Sequence, residues 1–286
     1  MSVRIEGRTE RADMQTSEWN HLPIELALRI FSNLAQADLI KGAQVCRRWR
    51  HIISGDSTLL ARKLGAFGRA DWKRHYGVDV GEAPPLPEEM EEILLSKCQL
   101  GVEGNFGKYV WQTHVLMLVP SHIERGDGIR EQLTLESLGE LVKTPLMGPS
   151  CKYAMLYAHG NEGAHVEENE WVLISKNVLE KSRNKSYEKQ KELVEKKAAS
   201  IGLSYRIPKL LEVCVAMFMH HMRTGGRLYS DKPLTYTRCQ EKSPDRQPMS
   251  AGGFGASVAR VRKSYWEGNL FGVGAVWEVP WSETKR

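Results

Sequence analysis

The side chains that most often carry catalysis, cysteine and histidine, are scattered along this sequence from residue 114 onward. They are His114, His122, Cys151, His159, His165, Cys214, His220, His221 and Cys239. Thiolates and imidazoles act as nucleophile and general base when each has a partner at a defined place. None of these residues lies in a recognisable catalytic motif, so we expect no catalytic residue and a chain that is not an enzyme. Catalysis in the C-terminal part stays open as an alternative.

Metal chemistry has little support in the spacing of these residues. The five cysteines, which include Cys46 and Cys98, are odd in number and widely spaced, without a CxxC pair or a Cys/His cluster at zinc-ligand spacing. We therefore expect no metal, no cofactor and free thiols in a reducing compartment. His220 and His221 are adjacent, so their rings cannot share one helix face, and we expect a role at a helix end.

Two weaker patterns are typical of nucleotide and nucleic-acid sites. The glycines of Gly252–Gly255 lack the strand-turn-helix context of a phosphate loop, which favours a strand start or a bulge. Aromatic and basic residues mix near the C-terminus as they do in stacking sites. They are Tyr229, Tyr236, Arg238, Arg260, Arg262, Lys263, Tyr265 and Trp266. Aromatic residues also suit a half-buried strand, so nucleic-acid binding is the weaker interpretation.

Composition favours a soluble protein with two structural units. The 286 residues are 41% hydrophobic and 26% charged, and their net charge of +5 is spread too evenly to define a nucleic-acid groove. No run approaches the roughly 18 apolar residues that cross a bilayer. Residues 1–18 are charged and lack an apolar signal core, so we expect a disordered lead-in and a cytoplasmic protein.

Residues 19–66 have the periodicity of three short helices. In LPIELALRIFSNL, Pro23 suits the first turn of a helix and the apolar residues recur at helical spacing. Asp38 predicts the cap of a second helix that continues through Trp49, and SGDST precedes a third in LLARKLG. Three short helices bury little apolar surface alone, so we expect an apolar face that needs a partner.

The rest of the chain predicts a mixed α+β domain. Residues 67–87 hold VGEAPPLP, whose prolines and glycine indicate an extended connector to a domain over residues 88–286. Helices are predicted in LTLESLGELVK after Thr134, in SYEKQKELVEKKAAS after Ser186, and in IPKLLEVCVAMFMHHMRTGG. Strands are predicted in VWQTHVLMLVP, NEWVLIS, RLYSD, PLTYTRCQEK, GGFGASVARVR and NLFGVGAVWEV. We expect the C-terminal strands to form an antiparallel sheet.

Several motifs in residues 19–66 occur in an order that resembles the F-box family. They are Leu22-Pro23, then Leu26, Ile30 and Leu34 at helical spacing, then Asp38-Leu39, and finally Val45-Cys46-Arg47-Arg48-Trp49. The resemblance implies a module whose exposed apolar face inserts into the adaptor subunit of an SCF-type cullin ubiquitin ligase. It implies adaptor contacts by Leu22, Pro23, Leu26, Ile30, Leu34 and Leu39. Val45, Cys46 and Trp49 are then expected to hold the helices together.

One departure and one alternative remain at this point. The family often has a tryptophan early in the third helix, where this chain has Leu59-Leu60. The same periodicity is also compatible with an amphipathic subdomain packed on the chain's own core. That alternative accounts for the spacing but not for the joint order of the motifs.

The C-terminal part resembles the domain that accompanies F-boxes in proteins of chlamydia-related bacteria living in amoebae. The similar stretches are VGEAPPLPEEMEEIL, THVLMLVP, LTLESLGELVKTPL, WVLISKNVLEKSRNKSYEKQ and RLYSDKPLTYTRCQEK. The resemblance implies a bacterial effector in the host cytosol that presents a target protein to the host ligase. The alternatives are an F-box scaffold without ligase output and an F-box-tethered enzyme.

Overall fold

The computed structural model describes residues 22–87, 89–105, 107–151, 160–256, 258–264 and 267–278. The chain divides into two compact units, Met1–Gly65 and Ala66–Arg286. The lead-in expected over residues 1–18 lies outside the described residues. Helices and strands are both present, which confirms the predicted α+β class.

The N-terminal unit has four described helices where the sequence predicted three. They are α1 (Ile24–Phe31), α2 (Gln36–Val45), α3 (Arg47–Gly55) and α4 (Ser57–Lys63). The predicted second helix breaks at Cys46, whose backbone is extended (φ −155°, ψ 165°) and whose sulfur accepts the amide hydrogen of Trp49 at 3.4 Å. Asp38 as a cap was wrong, because α2 begins earlier, after Ala35, and Asp38 lies in its first turn.

One small core holds these helices together. Phe31 and Leu39 are fully buried in it, and the Trp49 ring meets the Phe31 ring edge-on with 5.1 Å between centroids. The buried members of the core are Ala27, Phe31, Leu39, Ala43, Ile52, Ile53 and Leu59. Arginines add links between helices, since Arg48 donates to the carbonyl of Leu22 at 2.6 Å and Arg50 to that of Ala43 at 3.1 Å. Charge-assisted bonds of this kind are stronger than neutral ones.

The C-terminal unit contains the remaining described elements. Its helices are α5 (Arg69–Tyr76), α6 (Met90–Leu95), α7 (Val110–Thr113), α8 (Leu135–Leu141), α9 (Tyr187–Ile201) and α10 (Leu210–Thr224). Its strands are β1 (His114–Val119), β2 (His122–Glu124), β3 (Arg130–Gln132), β4 (Glu170–Ser175), β5 (Tyr205–Arg206), β6 (Tyr236–Lys242), β7 (Pro248–Gly252), β8 (Arg260–Lys263), β9 (Phe271–Gly272) and β10 (Val276–Trp277).

The strands form two four-stranded sheets and a hairpin. The first sheet has the order β1-β4-β10-β5 and is antiparallel, with His114 opposite Ser175 in the β1–β4 pair. The second has the order β8-β7-β6-β9, and its β6–β9 pair is parallel, so the expected antiparallel sheet is a mixed one. Strands β2 and β3 form the hairpin.

Helix α10 is the central element of this unit. It packs on β1 and β4 of the first sheet and on β6 and β7 of the second. Twelve of its fifteen residues are buried, which explains a sequence that is apolar almost all round. Gly225, in the left-handed region at φ 71°, ends the helix, and its amide donates to the carbonyl of His221 at 2.8 Å. Glycine adopts this conformation without steric cost.

A buried ionic network fixes the beginning of α10. Both oxygens of the fully buried Glu212 accept from Arg206, and one also accepts the Lys209 amide hydrogen at 2.7 Å. Glu241 accepts the amide hydrogen of Leu210 at 2.8 Å. Burial raises the pKa of Glu241, and burial together with the neighbouring charge of Glu212 raises the pKa of Glu170. The helix start is therefore held by hydrogen bonds to the side chains of Glu212 and Glu241.

Residues 67–87, predicted as an extended connector, form hydrogen bonds with other parts of the C-terminal unit. Phe67 pairs with Met117 of β1, and the indole of the fully buried Trp72 on α5 donates to the carbonyl of Leu118 at 3.1 Å. The proline-rich stretch has no regular structure, but the side chain of Trp171 donates to the carbonyl of Pro84 at 2.8 Å. Distant side chains thus satisfy the backbone of this segment.

Most predicted elements are present, although the structure differs in several places. RLYSD forms isolated bridges instead of a strand, and Tyr229 within it has a positive φ of 45°. The first residues of VWQTHVLMLVP form the short helix α7. Strand β7 was not predicted, and the glycine pair that the sequence placed at a strand start lies at its end, with Gly253 at φ 56°. The helices after Thr134 and Ser186 are confirmed, with both side chains acting as caps.

Neighbouring residues on α2 provide a test of the N-terminal core. Leu39→Ala should lower the free energy of opening of α2 by about 2–5 kcal/mol, because Leu39 is fully buried. Ile40→Ala should change it by less than about 0.5 kcal/mol, because Ile40 is exposed. Hydrogen exchange of the α2 amides in the intact chain measures both values. Equal effects of the two substitutions contradict this assignment of the core.

His114 gives the C-terminal unit a pH-dependent stability. Burial lowers the pKa of His114 from 6.5 to about 3, and its Nε2 has no hydrogen-bond partner among the described residues. Below pH 6.5 the unfolded chain binds a proton that the folded chain excludes. The free energy of unfolding therefore falls as pH drops towards 3, by about 1.4 kcal/mol per pH unit from this group.

Replacing the imidazole should remove that slope. We expect His114→Phe to flatten the decline of the unfolding free energy between pH 6 and pH 4, measured by urea denaturation. His165→Phe is the matched control, because His165 is exposed. Identical slopes in the two variants contradict the excluded-proton explanation.

Candidate protein-docking site

Helix α1 leaves apolar side chains uncovered on its outer surface. Its inner face puts Ala27 and Phe31 into the core, whereas Leu26 is 48% exposed and Ile24 and Ile30 are exposed as well. Pro23, which precedes the helix, is also exposed. An isolated exposed leucine is ordinary, but several on one short helix are typical of an interaction surface.

Helix α2 adds two more exposed apolar residues. Leu39, Gly42 and Ala43 form its buried side, while Ile40 and Val45 are exposed. We call the exposed residues Pro23, Ile24, Leu26, Ile30, Ile40 and Val45 the outer apolar set. Charges of both signs, among them Glu25 and Lys41, are exposed in the same two helices. An apolar surface with a mixed polar surround resembles the centre and rim of a protein interface.

The six residues predicted to contact an adaptor lie in different environments. Pro23, Leu26 and Ile30 are exposed, and Leu22 and Leu34 are half-buried against the core. Leu39 was wrong as a contact residue, because its side chain is 0% exposed and packs in the core. One residue along a helix turns the side chain by about 100°, which places Ile40 outward instead.

The three residues predicted to hold the helices together also lie in different environments. Trp49 packs on Phe31, and Cys46 caps α3 through its sulfur. Val45 was wrong as a core residue, because it is 60% exposed at the last position of α2. Sequence reasoning missed Ile24 and Ile40. Each lies three residues before a buried alanine, Ala27 or Ala43, so helical spacing alone gave no signal that its side chain is exposed.

The cysteines are free thiols, and three of them lie in the interior. Cys151, Cys214 and Cys239 are buried, whereas Cys46 and Cys98 are half-buried. Burial raises the pKa of the Cys151 thiol to about 11 and moves those of Cys214 and Cys239 further in the same direction. A neutral thiol is a poor nucleophile, so these three are packing residues.

The histidines are dispersed in the same way. His221 lies at the end of α10, where its Nδ1 is 3.1 Å from the carbonyl oxygen of Gly225, as expected for a helix-end role. Burial lowers the pKa of the neighbouring His220 to about 4. His122 lies at the start of β2, His165 is exposed in a loop, and His159 is outside the described residues. No group of His, Cys, Asp and Glu able to hold a metal ion occurs within the described ranges.

The described aromatic and basic residues near the C-terminus are buried or half-buried and present no stacking surface. Tyr229, Tyr236 and Arg238 are buried, and Arg238 donates to the carbonyl of Lys185 at 2.8 Å and to Gln190 at 3.1 Å. Arg260, Arg262 and Lys263 are half-buried on β8, while Tyr265 and Trp266 lie outside the described residues. Tyr236 and Arg238 belong to β6, and the hydroxyl of Tyr229 donates to the carbonyl of Ser175 on β4 at 2.6 Å. These three buried side chains are not accessible to a nucleic acid.

Among the described residues, no helix combines the length and the apolar character that a membrane span requires. Comparison with curated proteins found no match, and comparison with solved structures found none either. Residues 19–64 match the model of the F-box-like family. This match covers the four helices and the outer apolar set described above. Residues 19–64 therefore carry an F-box-like domain, which gives the chain a general role in substrate recognition for SCF-type ubiquitin ligases.

Proposed function

We propose that this chain docks on the adaptor subunit of an SCF-type cullin ubiquitin ligase and presents a target protein held by its C-terminal unit. The outer apolar set carries the proposal. Leu26 and Ile30 remain exposed although the opposite face of α1 closes the core of the F-box-like domain. An adaptor that covers these side chains removes their apolar surface from water.

Such a contact has a simple energetic basis. Burying apolar surface contributes roughly 25 cal/mol per Å², and a few well-packed anchors dominate most interfaces. The four helices are already held by their own core and by arginine bonds to backbone carbonyls. The docking face is therefore largely pre-formed, which reduces the conformational entropy lost on binding.

The C-terminal unit then serves for recognition, and catalysis belongs to the ligase. The dispersed histidines and the buried thiols of Cys151, Cys214 and Cys239 support this division of labour. A catalytic cysteine needs a thiolate that a substrate can reach, and burial opposes both conditions.

The same reasoning extends to the setting in which the chain acts. The stretches that resemble F-box-associated domains of chlamydia-related bacteria support a bacterial effector that works in the cytosol of a eukaryotic host. Bacteria lack the cullin ligase that an F-box serves, so the adaptor in this proposal is the host's.

The docking face has a direct binding test. Leu26→Ala/Ile30→Ala should weaken binding to a purified eukaryotic SCF adaptor by at least about tenfold, because both side chains are exposed anchors. Isothermal titration calorimetry of the intact chain measures the affinity. Leu270→Ala is the matched control, since Leu270 is an exposed leucine of the C-terminal unit. Unchanged affinity of the double variant refutes docking through α1, provided that its circular dichroism matches the wild type.

Ligase output is a separate question with its own test. Capture from eukaryotic lysate, comparing the intact chain with Leu22→Ala/Pro23→Ala, should show loss of the adaptor and retention of proteins bound by the C-terminal unit. Adding adaptor, cullin and charged conjugating enzyme to the wild-type complex should transfer ubiquitin to those retained proteins. Capture of the adaptor without any transfer favours the scaffold alternative, in which the chain only sequesters the adaptor.

A further inference from the structure

A second exposed apolar surface lies on the C-terminal unit, where α6 and α7 approach each other. Leu95 is the last residue of α6, Tyr109 is the N-cap of α7, and Trp111 is in its first turn. All three are exposed, with Trp111 at 51%. Exposed tryptophan and tyrosine are enriched at the energetic centres of protein interfaces.

A short antiparallel bridge brings these residues together. Lys97 pairs with Tyr109, and the flanking bonds run from the Cys98 amide to the Lys108 carbonyl and from the Val110 amide to the Ser96 carbonyl, each 2.9 Å long. Residues opposite each other in such a pair point to the same face. Leu95 precedes this bridge by two residues and Trp111 follows it by two, so both flank the paired side chains. We call Leu95, Lys97, Tyr109 and Trp111 the bridge patch.

Buried neighbours and hydrogen bonds fix the backbone of the bridge patch. Val110 and Leu94, which adjoin the patch residues in sequence, are buried, and the side chain of Gln112 accepts the Tyr109 amide hydrogen at 3.0 Å. The ammonium group of Lys176 donates to the carbonyl of Trp111 at 3.1 Å. A surface fixed in this way loses little conformational entropy when a partner binds.

Positive charge surrounds the aromatic side of the patch. Lys97 and Lys108 are exposed, and Lys176 is half-buried beside Trp111. Burial, and after it the positive charge of Lys108, lower the pKa of Lys176. None of the three lysines forms an ion pair with a described residue. The acidic side chain nearest in sequence on α6, Glu92, is one turn before Leu95. The positive charges therefore lie on the side of the patch that contains Tyr109 and Trp111.

We propose that the bridge patch binds an acidic segment of the target protein. An apolar side chain of that segment covers Trp111 and Leu95, and its carboxylates lie against Lys97, Lys108 and Lys176. The inference rests on the proposed function, because its occupant is the protein to be ubiquitinated.

Charge argues against a second copy of this chain as the occupant. A symmetric pair formed through the patch brings the lysines of one copy against those of the other, and like charges at an interface disfavour association. An acidic partner gains from the same charges, which also steer its approach.

Fluorescence polarisation with defined peptides tests the proposal on the intact chain. The probe is fluorescein-labelled Gly-Glu-Asp-Glu-Leu-Phe-Glu-Asp-Glu-Gly, and its partner probe has each Glu replaced by Gln and each Asp by Asn. We expect the acidic peptide to bind at least about tenfold tighter than the neutral one, with an affinity that falls as salt is raised. Trp111→Ala and Lys97→Glu/Lys108→Glu should each weaken it by about tenfold or more.

Matched controls separate the patch from a general surface effect. Ile129→Ala removes another exposed apolar side chain, 59% exposed in the β2–β3 loop, and Lys189→Glu reverses an exposed charge on α9. Both should keep wild-type affinity for the acidic peptide. Leu26→Ala/Ile30→Ala should keep it too, so failure of adaptor docking is distinguishable from failure of this inference.

Several results overturn the proposal. Equal affinity for the two peptides contradicts the preference for an acidic segment. Equal effects of Trp111→Ala and Ile129→Ala contradict binding at the bridge patch. Self-association that sedimentation shows to be lost in Trp111→Ala assigns the surface to a second copy. Tighter binding of a labelled oligothymidine than of the acidic peptide assigns it to a nucleic acid.

Discussion

The N-terminal unit depends on one packing constraint: four short helices share a single small core. That core is closed by Phe31 and Leu39 with their neighbours, and it takes only one face of α1. A module of this size cannot cover the other face as well, because too few side chains are available. The apolar residues on the outer side of α1 and α2 therefore stay in water until another protein covers them. The small core therefore accounts both for the exposure of these side chains and for the proposed docking through them.

The C-terminal unit, in contrast, is large enough to bury one of its helices on nearly every side. Two sheets enclose α10, and its start is held by the bonds of Arg206 and Lys209 to the buried Glu212. The interior of this unit contains Cys151, Cys214, Cys239 and His114, four of the side chains that indicated possible chemistry in the sequence. Cysteine serves there as a small apolar residue, and His114 as a neutral ring packed near Tyr205.

The motifs of the N-terminal unit predicted its helices and the exposure of Leu26 and Ile30, because helical periodicity separates inner from outer residues. The motifs did not show that Leu39 is buried and Ile40 exposed, because their order does not determine which face of α2 packs against the core. The break at Cys46 was also hidden, because its cap uses a sulfur and not one of the usual capping oxygens. For residues 67–87, prolines correctly indicated irregular backbone, but the bonds from Asn169 and Trp171 come from more than eighty residues away. The bridge patch was beyond sequence reasoning for the same reason, because it depends on a pairing of single residues with no strand pattern.

The two exposed surfaces differ in a way that separates their partners. The outer apolar set lies among charges of both signs, whereas Lys97, Lys108 and Lys176, in or beside the bridge patch, form no ion pair with a described residue. A partner that binds chiefly through apolar burial gains little from those lysines, because it must desolvate them without supplying carboxylates. An acidic segment gains less from the outer apolar set, where Glu25 and Asp38 oppose it. Under the two proposals, electrostatics therefore assigns a different protein to each surface, because the charges that favour one partner disfavour the other.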